Sequence, residues 1–172
     1  MTKVKFRWWK FIAIWACFLL LHFSYGWFPG LFFRIVAEPN ETVFFHMKML
    51  FHAYVLVSLV EFFLYRRTIK SVSSFFAARG LVAVAYPWLA ITFWFLAWAL
   101  GLTLARAGEL LFANVTTLLG VYLALRLEEI LDAIELRPAL KWTVLLLFLA
   151  AVVSYISFSL HPPLHFFTTP PG

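Results

Sequence analysis

Five apolar runs, each close to the length a helix needs to cross a bilayer, constrain this chain more than any other feature. They read from about Phe11 to Phe28, Thr42 to Tyr65, Leu81 to Ala105, Leu110 to Leu127 and Trp142 to Leu160. A helix needs about 20 apolar residues to span the hydrocarbon core. Backbone groups in lipid must pair within their own segment, so each run is expected to be helical. The sequence therefore predicts an all-α integral membrane bundle of five transmembrane helices, forming one domain over residues 1–172. Composition agrees: 64% of residues are hydrophobic and 13% charged, against about 25% charged in a soluble domain. The third run carries no charge, and Pro87 is expected near its start, where a missing N–H costs least.

Basic residues set the expected orientation. Lys3, Lys5, Arg7 and Lys10 precede the first run; Arg66, Arg67, Lys70 and Arg79 follow the second; Arg126, Arg137 and Lys141 follow the fourth. The alternate connectors hold only Arg34 and Arg106. By the positive-inside rule the N-terminus is expected in the cytoplasm and the C-terminus outside, in the cell membrane. The net charge of +6 is thus assigned to headgroup anchoring and not to nucleic acid. Trp8, Trp9, Tyr65 and Trp142 are expected at the inner interface and Trp27 at the outer one. The start of the chain resembles a signal peptide, but no small-x-small cleavage site follows, so a retained first span is expected. Cys17 is the only cysteine, which excludes an intrachain disulfide.

Two connectors carry further expectations. Arg106 to Glu109 is short, so the third and fourth helices should pack as an antiparallel pair. The stretch from Arg126 to Arg137, with Leu127, Ile130, Leu131 and Ile134 at helical spacing, should extend the fourth helix with that face on membrane or neighbours.

Ionisable groups inside a membrane are functional candidates by default. His22, Glu41, His46, Lys48 and His52 are the leading ligand or metal candidates, with Asn40, Glu109, His161 and His165 secondary. Glu61 lies near the inner end, where pairing with Arg66 or snorkelling would satisfy it. Counted along the runs, His22 and His52 fall near the midplane and should converge; Lys48 and His52 share a face as an i, i+4 pair, and His46 points elsewhere. Asn40 or Thr42 should cap the second helix. Convergent imidazoles fit a metal site, axial haem ligation or plain interhelical hydrogen bonding. The cofactor remains unassigned. No Gly-rich phosphate loop, G-x-S-x-G or Cys-x-x-Cys occurs.

The stretch Asn40-Glu41-Thr42-Val43-Phe44-Phe45-His46-Met47-Lys48 resembles the N-E-S-x-W-E-H-x-K signature of a family of small, uncharacterised multipass membrane proteins of bacteria and archaea. His22-Phe23-Ser24-Tyr25 resembles that family's H-F-x-Y, and His161-Pro162-Pro163 through Phe167, Pro170 and Pro171 its Pro-rich tail. The resemblance implies that Asn40, Glu41, His46 and Lys48 occupy the signature positions. Phe45 and Thr169 depart from it, each standing where the family has a carboxylate.

Three functions compete at this point. One is a protein with a polar outer pocket for a small ligand, metal or lipid headgroup. The second is an accessory subunit of a larger membrane complex, with the bilayer, other subunits or a second copy as partners. The third is an intramembrane enzyme with a histidine-bound metal.

Overall fold

The computed structural model describes residues 6–37 and 42–161. They form six helices: α1 (Trp8–Trp27), α2 (Leu31–Val36), α3 (Val43–Tyr65), α4 (Val72–Ala99), α5 (Arg106–Asp132) and α6 (Pro138–Leu160). No strand occurs among the described residues. Five helices are long and apolar enough to cross a membrane. The sixth, α2, is a short addition in the connector after Pro29-Gly30.

The five long helices alternate in direction. The starts of α1, α4 and α6 meet the ends of α3 and α5 at one end of the bundle, here the basic end. The opposite end, where α2 lies, is the histidine end. α3 is the centre: Phe51, Ala53 and Tyr54 are all but inaccessible, and thirteen of its 23 residues are buried. α1 lies against α3 and α5, while α4 touches α3, α5 and α6. α1 buries Lys10, Ile14, Phe18, Leu21 and Ser24, a stripe at three- and four-residue spacing. α6 buries only Val144, Tyr155 and Ser159. Its outer face is Leu146, Leu149 and Val153, apolar and exposed as a lipid-facing surface should be.

α4 and α5 approach closely because Gly120 has no side chain. A Cβ there would lie 2.9 Å from that of Ala90 and 3.3 Å from Tyr86 Cε2. Small residues at helix contacts are the usual means of tight packing in membranes. This is the antiparallel pair expected from the short connector, although the connector is residues 100–105 and Arg106 opens α5.

One boundary differs from the sequence reading, the start of α4, and two expected features hold only in part, the extension of α5 and the cap of α3. α4 begins at Val72, not near Leu81, because Arg79 is a helix residue facing protein and not a connector charge facing water. Pro87 is therefore internal to α4 and leaves the carbonyl of Ala83 without its helical donor. α5 does continue past Leu127 to Asp132, but Glu128 and Leu131 turn inward while Ile130 and Ile134 stay exposed. Thr42 is the N-cap residue of α3, yet its side chain makes no capping bond.

Candidate functional site

Polar side chains collect at both ends of the bundle. The basic end holds the larger group. Lys10 Nζ donates to Glu61 Oε2 at 2.5 Å and Glu128 Oε2 at 2.6 Å. Arg7 Nη1 reaches Glu61 at 2.5 Å and Glu128 at 2.7 Å, and Arg7 Nη2 reaches Asp132 at 3.0 Å. Arg79 bonds Glu61 at 3.1 Å, Glu128 at 3.2 Å and both oxygens of Asp132. The Tyr54 hydroxyl donates to Glu128. Three cations thus meet three carboxylates across α1, its N-terminal approach, α3, α4 and α5. Lys10, Glu61 and Glu128 are at most 2% exposed.

Such a group forms only because every charge has an opposite in contact. An unpaired charge in apolar surroundings is very costly, and even a pair repays its desolvation only with good geometry and further hydrogen bonds. Here each Glu carboxylate touches all three cations. The Arg79 guanidinium also lies 4.0 Å from the ring centre of Phe75. Glu61 pairs with Arg7, Lys10 and Arg79, which replaces the expected pairing with Arg66 or snorkelling.

At the histidine end, His22 of α1 and His46 of α3 stand with ring centres 5.5 Å apart. Phe18 lies beside both. His46 Nδ1 lies 2.8 Å from the carbonyl oxygen of Thr42, so the ring is held by a bond to the start of its own helix. Lys48 is fully buried, and its Nζ donates to the Arg34 carbonyl and to Ser159 Oγ, each at 2.8 Å. One ammonium therefore ties α3 to α2 and α6. It also sits 4.8 Å over the ring of Phe45.

His52 does not join His22 and His46 but shares with Lys48 the side of α3 that meets α6, as the i, i+4 spacing predicts. Its Nδ1 lies 2.8 Å from the Lys48 carbonyl, and its ring packs on Phe51 and 6.3 Å from Tyr155 of α6. The expected convergence of His22 with His52, and with it axial haem ligation by that pair, is replaced by convergence of His22 with His46. Depth explains the change. His22 is five residues from the end of α1 at Trp27, about 7.5 Å, and His46 is three residues into α3, about 4.5 Å. His52 is nine residues in, about 13.5 Å, and lies deeper than either.

The other candidates are dispersed. Glu109 is exposed in the first turn of α5, and His161 is an exposed residue at the end of α6. Asn114 accepts from Trp15 Nε1 at 3.4 Å, linking α5 to α1. Asn40, Glu41 and His165 lie outside the described residues. Among the described residues no group of three or more His, Cys, Asp or Glu side chains is placed to hold a metal ion. The sequence reading missed Arg7, Lys10, Tyr54, Arg79, Glu128 and Asp132 as a group. Their signal was spacing: Arg7 with Lys10, and Glu128 with Asp132, are one turn apart and share a face.

Comparison with protein-family models, curated proteins and solved structures finds no match for this chain.

Proposed function

We propose that the protein is a multipass binding protein of the cell membrane, with its basic end in the cytoplasm and a ligand site at its histidine end facing outside. The observation that carries this reading is the meeting of His22 and His46 from two helices, at the same end of the bundle as a buried Lys48 that ties in two more. A neutral ring that donates Nδ1–H to a carbonyl presents its Nε2 as an acceptor. The fitting ligand is a small polar molecule with a hydrogen-bond donor for imidazole. Among the described residues two imidazoles supply half of a tetrahedral metal set, which fits hydrogen bonding to a ligand. Orientation rests on the basic residues. With Arg7, Lys10 and Arg79 engaged in the ion group, eight remain at the basic end against Arg34 and Arg106.

Native mass spectrometry of the full chain tests the reading. The wild type should carry a small molecule that His22→Ala and His46→Ala lose and Lys141→Ala keeps. A wild type that flies bare, or with phospholipid alone, overturns it. In sealed cells and inverted vesicles, a cysteine at Ser71 in a Cys17→Ser background should react with impermeant reagent only from the cytoplasmic side.

A further inference from the structure

A lateral groove of about 670 Å³ opens at the basic end between α3 and α6, with α4 as its floor. The two walls meet farther up, where Phe51 stacks against Phe148 and Tyr155. Below that contact they part. Leu59, Phe76, Leu145 and Phe148 line the groove, and the first three are also exposed on the outer surface of the bundle. Gly80 keeps the floor low, since a Cβ there would lie 3.1 Å from Val144 Cγ1. The opening therefore faces the hydrocarbon of the bilayer and not the ends of the bundle.

Two polar groups break the apolar lining. Lys141 stands at the rim, one turn into α6, with its Nζ donating to Ser73 Oγ at 3.1 Å. Ser58 lies deeper, two turns from the end of α3. It is 6% exposed, and its hydroxyl has no hydrogen-bond partner among the described residues. A buried hydroxyl without a partner is costly, and the side of Ser58 that faces the groove is where a partner would lie.

We propose that this groove is a binding site for one anionic phospholipid of the surrounding leaflet. The order of groups along the groove matches the order along such a lipid. Its phosphate sits at Lys141, a glycerol ester carbonyl accepts from Ser58 below it, and an acyl chain fills the space between Leu59, Leu145 and Phe148. The size falls within the roughly 300–1,000 Å³ of ordinary ligand pockets. A cation at headgroup level selects negative charge, and an apolar wall selects the chain. Because Arg79 borders the groove and belongs to the ion group, an occupant also packs against the element that holds α1, α3, α4 and α5 together.

The test is lipid retention by the full chain in detergent with equal phosphatidylglycerol and phosphatidylcholine, read by native mass spectrometry. The wild type should retain one phosphatidylglycerol with about fivefold preference. Lys141→Glu should abolish or reverse that preference. An ether-linked phosphatidylglycerol, which lacks the ester carbonyl, should bind the wild type about threefold more weakly, and Ser58→Ala should erase this difference. Leu145→Trp, which narrows the groove from a lipid-facing position, should reduce retention of both lipids while the melting temperature holds. Equal retention of the two headgroups by the wild type, or an unchanged preference in Lys141→Glu, overturns the proposal. So does a free fatty acid displacing phosphatidylglycerol at equal concentration.

Discussion

At the basic end, four helices are joined by three cations meeting three carboxylates. At the histidine end, the described contacts are of another kind: an ammonium on a carbonyl and a hydroxyl, imidazoles on carbonyls, and ring against ring. The first arrangement is collective. Each glutamate serves three cations, so removing one member leaves a buried charge imbalance for the rest. The second is built from separate bonds that can be exchanged one at a time. A polar ligand can take the place of a neutral bond at modest cost, but it cannot open a closed set of buried ion pairs so cheaply. This is why the ligand reading belongs to the histidine end and the anchoring role to the basic end.

The largest predicted effect follows from breaking the ion group. Lys10→Met should destabilise the bundle by about 3–5 kcal/mol, the range for removing one partner of a buried pair. Thermal unfolding in detergent measures it. Adding Glu61→Gln restores neutrality, so the double variant should lose less than the two single variants together. Wild-type melting in Lys10→Met would erase the contrast between the ends.

Lys48→Met should have a smaller effect, about 1–3 kcal/mol, because it removes the bonds to the Arg34 carbonyl and the Ser159 hydroxyl, the latter keeping its own bond to Tyr155. The same measurement with Ser159→Ala sharpens the point: the pair should be less than additive, since the two residues share one bond. A loss larger than that of Lys10→Met would reverse the ranking of the two ends.

His52→Phe should cost least, below the roughly 0.6 kcal/mol typical of an interhelical hydrogen bond in membranes. Its bond is to the carbonyl of its own helix one turn back, and a phenyl ring can keep the packing on Phe51 and Tyr155. A loss as large as that of Lys48→Met would return His52 to the site.

The five long helices were legible in the sequence because hydropathy integrates over about twenty residues and tolerates local error. What it could not resolve was whether a charge near a span end faces water or protein. For that reason Arg79 reads in the sequence as a connector residue, and the third apolar run begins nine residues after the start of α4. The carboxylates that meet Arg79 are 18, 49 and 53 positions away in the chain, and no local pattern announces them. The histidines failed differently. Depth along a helix is countable, but rotation about its axis is fixed by which neighbour packs on which face. His46 and His52 lie on different faces of α3: α1 covers the first and α6 the second. Of the described candidates only His22 and His46 meet ring to ring, while Lys48 and His52 share the side of α3 that faces α6.

The lengths of α4 and α5 have a mechanical consequence. At 28 and 27 residues they extend about 40 Å, against a hydrocarbon core of about 30 Å and an α1 of about 30 Å. A single helix that is too long for its bilayer relieves the mismatch by tilting. α4 and α5 cannot tilt alone, because Arg79, Glu128 and Asp132 bind them to α1 and α3. The surplus length ends in Ser73, Ser74, Arg126, Glu129 and Asp132, which belong among headgroups and water. The bundle then behaves as a plug of fixed height with a hydrophilic collar. Thickness strain passes to the lipid around it, and membranes of matching thickness are where it would accumulate.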